Sequence, residues 1–340
     1  MRRRVRAIGE PVVPLTDKYP LAVTFIIGRS RLPGGAGALA PIGTGFILNV
    51  PARFKDLYFE YVVTASHVVE GRDETYARIR TRDGGSKDLP VHEWVHHPTA
   101  DVAVAPFDAS GHEDLHLLNV PAAALGQRPL PRWDPQLGDR VYFLGLPNLP
   151  AAQGMIARNV PMVRSGTIGA MYQDDVPVQW PDGSIRKVQA HLIDCRSYGG
   201  FSGSPCFFQR DDAFTAAREG KLEWGQITRL FGLVSGHFDL ATSPLMQGDI
   251  AELGSIRVPV NTGVGIVTPD AKIVEVLEME ELREERERVT EEHRKKQAEE
   301  GATLDTTSEV PEEYERFEEL ARKVVNTPKS EIDEKRKRDS

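Results

Sequence analysis

Between residues 20 and 268 the chain sets short apolar runs between breaks made of Gly, Pro, Asn and Asp. Examples are LAVTFIIG (21–28), TGFILNV (44–50), LYFEYVVTA (57–65), DVAVAPF (101–107), RVYFLGL (140–146), KVQAHLID (187–194), RLFGLVSG (229–236) and GVGIVTP (263–269). Runs of this length rich in Val, Ile, Phe and Tyr predict strands, not helices. Many short strands with turn signals between them predict a sandwich or barrel. The Pro- and Gly-rich stretch 121–139 separates two strand-dense blocks and reads as a linker between two β-domains.

After Pro269 the period changes. Asp270 is a candidate N-cap, and Ile273, Val276 and Leu277 follow at helical spacing. The later part of 270–300 is nearly all charge, which predicts a solvated helix or a flexible extension. A loop is predicted over 301–311. Residues 312–326 form an amphipathic pattern with Phe317, Leu320, Ala321 and Val324 on one face. That stripe docks either on the protein itself or on a protein partner. The charge density of the tail predicts that it buries little surface and that its removal leaves stability nearly unchanged. The expected division is an N-terminal extension (1–19), a first β-domain (20–125), a second (126–269), a charged helix (270–300) and a tail (301–340).

Composition narrows the classes. With 340 residues and 40% hydrophobic content the chain can bury a full core. Its net charge of -8 argues against nucleic acid and anionic membranes as partners. No apolar run approaches the roughly 20 residues that span a bilayer, and the basic start MRRRVRAIGEPVVPLTDKYP lacks the apolar stretch of a secretory signal. A cytoplasmic location is expected. Cys195 and Cys206 read as two small core residues on adjacent strands.

Three stretches carry candidate chemistry: TASHVV around His67, TADVAV around Asp101 and GGFSGSP around Ser202. Each has an ordinary explanation alone, as a packed His, a turn entering a strand, or a Gly/Ser/Pro turn. In this order they supply a base, a carboxylate and a hydroxyl. A serine hydroxyl needs a base to take its proton during attack, and neutral imidazole can serve because its ordinary pKa lies near 6.5. His67 and Asp101 precede the 121–139 stretch and Ser202 follows it, so a site would form between the two blocks. His96 and His97, beside a Pro, are expected to be exposed. Asp108 is a weaker candidate carboxylate because it follows its strand.

These stretches resemble the trypsin-like (chymotrypsin-fold) serine peptidases, and within them the bacterial high-temperature-requirement (Deg) branch. The likeness extends over GTGFIL (43–48), YVVTASHVV (61–69), HPTADVAV (97–104), GDRVYFLGLP (138–147), RSGTIGAM (164–171), GGFSGSP (199–205) and NTGVGIVTP (261–269), in family order. It implies an all-β fold of two antiparallel β-barrels of the chymotrypsin type, then a C-terminal helix and a charged helical or disordered tail. It implies a serine endopeptidase acting on a polypeptide through an acyl-enzyme, with catalytic His67, Asp101 and Ser202 and no metal or organic cofactor. The backbone amides of Gly200 and Ser202 would hold the oxyanion. The specificity pocket would involve Arg196, Ser235 and Gly236. A buried Arg196 would favour an acidic side chain, whereas one turned to solvent would not. A bound peptide would pair with the edge from Leu233 to His237.

The chain departs from the family pattern in two places. Ser204 stands where most members have Gly, and Phe201 where Asp or Asn is usual. The missing Asp implies an enzyme that needs no propeptide removal. No peptide-binding domain is recognisable after the barrels. Two other readings stay open: a catalytically silent barrel that binds peptides by adding a strand, and a protease effector held inactive until a partner engages the tail.

Overall fold

The computed structural model describes residues 19–29, 37–54, 57–125, 134–146, 152–180, 182–195, 199–209, 229–240, 260–299 and 310–326. The chain builds two β units in sequence. The first contains β1 (Val23–Arg29), β2 (Leu39–Pro51), β3 (Tyr58–Thr64), β4 (Thr75–Arg80), β5 (Ser86–Val91), β6 (Val95–His96), β7 (Ala103–Pro106) and β8 (Val120–Pro121). They join in the order β5-β4-β1-β2-β3-β7-β6, all antiparallel, with β8 added parallel to β2. The second contains β9 (Arg140–Gly145), β10 (Met162–Gln179), β11 (Ile185–Asp194), β12 (Pro205–Gln209), β13 (Arg229–Leu240) and β14 (Val260–Pro269). These close into an antiparallel barrel, β10-β11-β14-β13-β12-β9. The architecture is that of the chymotrypsin type expected from the sequence.

Apolar runs became strands because each inward face has a core to enter. Phe25, Phe46, Ile47, Tyr61, Ile79 and Val104 fill the first unit. Phe143, Phe201, Cys206, Phe208, Phe231 and Val267 fill the second. Both cysteines are buried and free, and burial raises both thiol pKa values, that of Cys195 to about 11. The units are tied by Asn159, whose amide lies against β1. It accepts from the Phe25 amide (3.0 Å) and donates to the Val23 carbonyl (2.8 Å), so it completes part of that strand's edge. Its φ of +50° suits Asn, which tolerates the left-handed region better than most residues.

Five α-helices are described: α1 (Ser66–Val69), α2 (Gln153–Ala157), α3 (Asp270–Leu277), α4 (Glu280–Glu299) and α5 (Glu312–Asn326). Asp270 begins α3 instead of capping it, with Pro269 in the cap position. Its carboxylate in the first turn suits the helix dipole. Ile273, Val274, Val276 and Leu277 are buried. At the break after α3, Arg286 donates to the Leu277 carbonyl (2.7 Å) and to Glu278 (2.8 Å), which satisfies a terminal carbonyl.

The weakly attached tail is a correction. Helix α5 lies against β2 and α3, with Phe317, Leu320 and Ala321 buried in the first unit's core. Apolar residues are few there, but their spacing puts them on one face, and that face is covered. The stripe therefore docks on the protein itself. Residues 126–133, the middle of the expected linker, lie outside the described residues.

Candidate active site

His67 sits on α1, a single turn that directly follows β3. Asp101 lies in the loop between β6 and β7 and is completely buried. One carboxylate oxygen accepts the His67 backbone N–H (3.0 Å), the other meets His67 Nδ1 (2.8 Å). An ionised carboxylate can only accept, so Nδ1 carries the proton and Nε2 is the free basic nitrogen of the neutral ring. Burial of the imidazole works against its charged form. The Asp101 charge, its hydrogen bond and the more distant Glu70 outweigh that burial, and the pKa of His67 is raised. Asp108 is exposed and accepts from the Ser110 amide (2.7 Å) at the far end of β7, so it is not at the site.

The loop holding Asp101 is braced by a residue expected to be exposed. His97 is buried. Its Nδ1 accepts from the amides of Thr99 (3.1 Å) and Ala100 (2.9 Å), and Nε2–H donates to Glu275 on α3 (2.8 Å). A tight loop leaves amides that need acceptors, and the ring supplies one where a backbone carbonyl cannot. His96 is half-buried, with Nδ1 2.6 Å from Ser66 Oγ.

Ser202 occupies the turn before β12. Gly203 has φ +88°, and a Cβ there would stand 1.9 Å from the Thr44 carbonyl, so the turn needs glycine. Thr44 on β2 threads this turn to the first unit. Its amide donates to the Ser202 carbonyl (2.8 Å), and its hydroxyl donates to the Gly200 carbonyl (2.6 Å) while accepting from Leu146 N–H (3.1 Å). The motif GTG at 43–45 was visible, but no sequence signal tied its Thr to the serine turn. Phe201 anchors the turn from below, wholly buried and edge-on to Phe143 at 5.5 Å. Ser204 is buried, and its hydroxyl has no hydrogen-bond partner among the described residues.

The Ser202 hydroxyl donates to the Ser235 carbonyl (3.2 Å). Ser235 Oγ lies 2.6 Å from Thr268 Oγ1, which donates to the Asp101 carbonyl at 3.4 Å. A chain of polar contacts thus runs from the serine turn to the Asp101 loop. Among the described residues no hydrogen bond joins Ser202 to His67. None takes the amides of Gly200 or Ser202 either, and Gly200 has φ +98°.

Of the expected pocket residues, Arg196 lies outside the described residues. Ser235 is buried with its hydroxyl on Thr268, so it offers its carbonyl, not its side chain. Gly236 faces open space. The expected peptide edge from Leu233 to His237 needs correcting at its start. Leu233 pairs with Pro205 of β12, and both Val234 backbone groups bond the serine turn through Gly203 and Ser204.

The family model for the trypsin-like peptidase domain matches residues 43–214, half of the chain. The chain belongs to the trypsin-like peptidase family. It is a serine peptidase, and the stretch matched holds His67, Asp101 and Ser202. No curated protein is significantly similar to this family member in sequence. Among solved structures, it is similar to the MamO protease domain from Magnetospirillum magneticum, with 18% identity, 77% of this chain and 98% of that one covered, and a TM-score of 0.45. It is also similar to the active form of the Rv3671c protease from M. tuberculosis (18% identity, 76% and 80% covered, TM-score 0.43). A third is the HtrA-type protease AlgW with a decapeptide (17% identity, 76% and 64% covered, TM-score 0.41). This peptidase therefore spans just under two thirds of AlgW's length. No helix among its described residues is long and apolar enough to cross a membrane.

Proposed function

We propose that this peptidase is a serine endopeptidase that cleaves polypeptides through an acyl-enzyme, with Ser202 as nucleophile, His67 as base and Asp101 as orienting carboxylate. The observation that carries the reading is the buried Asp101 carboxylate accepting both the backbone and the ring N–H of His67. That arrangement leaves Nε2 free to take the Ser202 proton during attack. Imidazolium then returns the proton to the leaving amine, and water repeats the cycle on the acyl-enzyme. The amides of Gly200 and Ser202 would stabilise the oxyanion. Rotation about the Ser202 side chain must first release the Ser235 carbonyl, as apo sites often require some tightening.

The test is labelling by a fluorophosphonate probe together with cleavage of an unfolded polypeptide. The wild type should label at Ser202 and cleave. Ser202→Ala and His67→Ala should each lose on the order of a millionfold in turnover, and the double variant little more. Because the pKa of His67 is raised, the acid limb of turnover should lie above the ordinary 6.5 of histidine. A second reading, a silent peptide-binding barrel, is favoured by the Ser202 hydroxyl resting on Ser235 instead of His67. Peptide binding without any probe labelling would establish it.

A further inference from the structure

The hairpin of β10 and β11 is longer than the second barrel requires. β9 pairs with β10 only over Met162–Thr167, and β14 pairs with β11 only over His191–Asp194. Beyond these, the two strands pair with each other out to Gln179 and Ile185. The projecting part carries its own small core of Val176, Val178, Val188 and Ala190 with Ile266. Trp180 stands at its turn, closed by bonds from its amide to the Ser184 carbonyl and from Gly183 to its own carbonyl. A large aromatic at a hairpin tip would ordinarily be wet. Trp180 is only 5% exposed.

Its cover comes partly from the other β unit. Trp180 Nε1–H donates to Glu70, the residue that ends α1 three positions after His67. Arg186, across the hairpin, donates to the second oxygen of the same carboxylate at 3.2 Å, and its guanidinium lies 4.5 Å from the Trp180 ring. The indole in turn meets the His67 ring nearly edge-on, with centroids 6.3 Å apart. Two groups of the second barrel, Trp180 and Arg186, thus converge on Glu70 at the end of the short helix that carries His67.

Resting on the catalytic roles proposed above, we propose that Trp180, clasped by Glu70 and Arg186, is a positioning residue. It fixes the helix of the base against the barrel of the nucleophile and keeps one side of the imidazole dry. The need for it is geometric. His67 belongs to the first unit and Ser202 to the second, and a displacement of about 1 Å between reacting groups can cost a hundredfold in rate. Asn159 ties the units at β1, remote in sequence from α1, whereas the clasp acts on α1 itself. The charged groups facing the imidazole are Asp101 from the β6–β7 loop and Glu70 from its own helix. Arg186 enters from the hairpin, through Glu70. His96 is bonded to the neighbouring Ser66.

The full chain should be compared with its Trp180→Ala, Trp180→Phe and Glu70→Gln variants. His67 is followed by proton NMR titration, Ser202 by ester turnover and fluorophosphonate labelling. Trp180→Ala should lower kcat by about tenfold to a hundredfold with a smaller change in KM. Its imidazole should titrate higher, because burial that opposed the charge is relieved. Glu70→Gln should move that titration the other way, because a favourable carboxylate is lost. Trp180→Phe keeps the ring without the N–H, and should restore the titration while recovering only part of kcat. Opposite shifts in the alanine and glutamine variants establish the clasp even if the wild type labels with no probe, in which case only the peptidase roles fail. An unmoved His67 titration in folded Trp180→Ala, or in Glu70→Gln, would overturn the proposal.

Discussion

His191 makes the second barrel sensitive to acid, and the size of the effect can be worked from its surroundings. The ring is almost wholly buried on β11, stacked on Phe231 at 4.2 Å and edge-on to Tyr172 at 4.5 Å. Its Nδ1 accepts the Tyr172 N–H (3.1 Å) and so carries no proton of its own. Burial pushes its pKa down to about 3. The unfolded chain takes up a proton at this histidine below about pH 6.5, whereas the folded chain refuses it until near pH 3. Folding stability therefore falls as pH drops through 6.5, by about 1.4 kcal/mol per unit once well below it. At pH 5 the penalty reaches about 2 kcal/mol.

His191→Phe keeps a ring of similar shape and removes the titration. It also leaves the Tyr172 N–H without its acceptor, a fixed cost of about 1–3 kcal/mol. The variant should be less stable than the wild type at pH 7, and the gap should narrow by about 2 kcal/mol at pH 5. His67 contributes with the opposite sign, since its raised pKa stabilises the fold below 6.5 and that contribution fades as pH rises through the folded value. It is present in both proteins and cancels in the difference. Urea unfolding at pH 5, 6 and 7 measures the gap. A gap that is constant or wider at pH 5 would refute the reasoning.

Three further outcomes follow from single contacts. Asp101→Asn should keep the fold and lower turnover roughly ten thousandfold by stabilising the wrong imidazole tautomer, whereas Asp108→Asn should leave ester hydrolysis near wild type; reversed effects would move the carboxylate assignment. Asn159→Ala strips the Phe25 N–H and Val23 carbonyl of their buried partners and should cost about 2–4 kcal/mol, read as a lowered urea midpoint. Phe317→Ala, in a helix first expected to be dispensable, should cost about 3–5 kcal/mol in the same assay, because its ring is buried in the first unit's core.

Much of the fold is written in short-range pattern. The eight apolar runs quoted from the sequence each fall on a strand because every one has an interior to enter. The strands that escaped notice explain themselves. β4, TYARIR, alternates buried Thr75, Ala77 and Ile79 with polar residues, and β5, SKDLPV, is mostly charged on its wet face. Period-two alternation is present in β4, but its buried positions include a Thr and an Ala, so no apolar run marks it. β12, PCFFQ, directly continues the serine turn and is hidden by it. The candidate site was legible where motif and local turn coincide, at His67, Asp101 and Ser202. Thr44, His97 and Trp180 were not, because each acts through a partner more than a hundred positions away, at Gly200, Glu275 and Glu70.

Those distant partners change how the C-terminal segment should be understood. Glu275 of α3 receives His97 Nε2–H and the Lys272 ammonium. Burial opposes its charge, but these two partners prevail and its pKa is lowered, so it stays ionised at neutral pH. His97 in turn ties down the loop amides beside Asp101. Helix α3 is buried along Ile273, Val274, Val276 and Leu277, and α5 packs against it. Helix α3 therefore braces the loop that holds Asp101, and α5 backs α3. A perturbation that loosens α5 has a physical route to the orientation of His67, through α3, Glu275, His97 and the Asp101 loop. Each link is a packed or hydrogen-bonded contact, and buried contacts of this kind transmit displacement instead of absorbing it. A stripe of three apolar residues near the end of the chain is therefore joined to the Asp101 loop by an unbroken series of packed and hydrogen-bonded contacts.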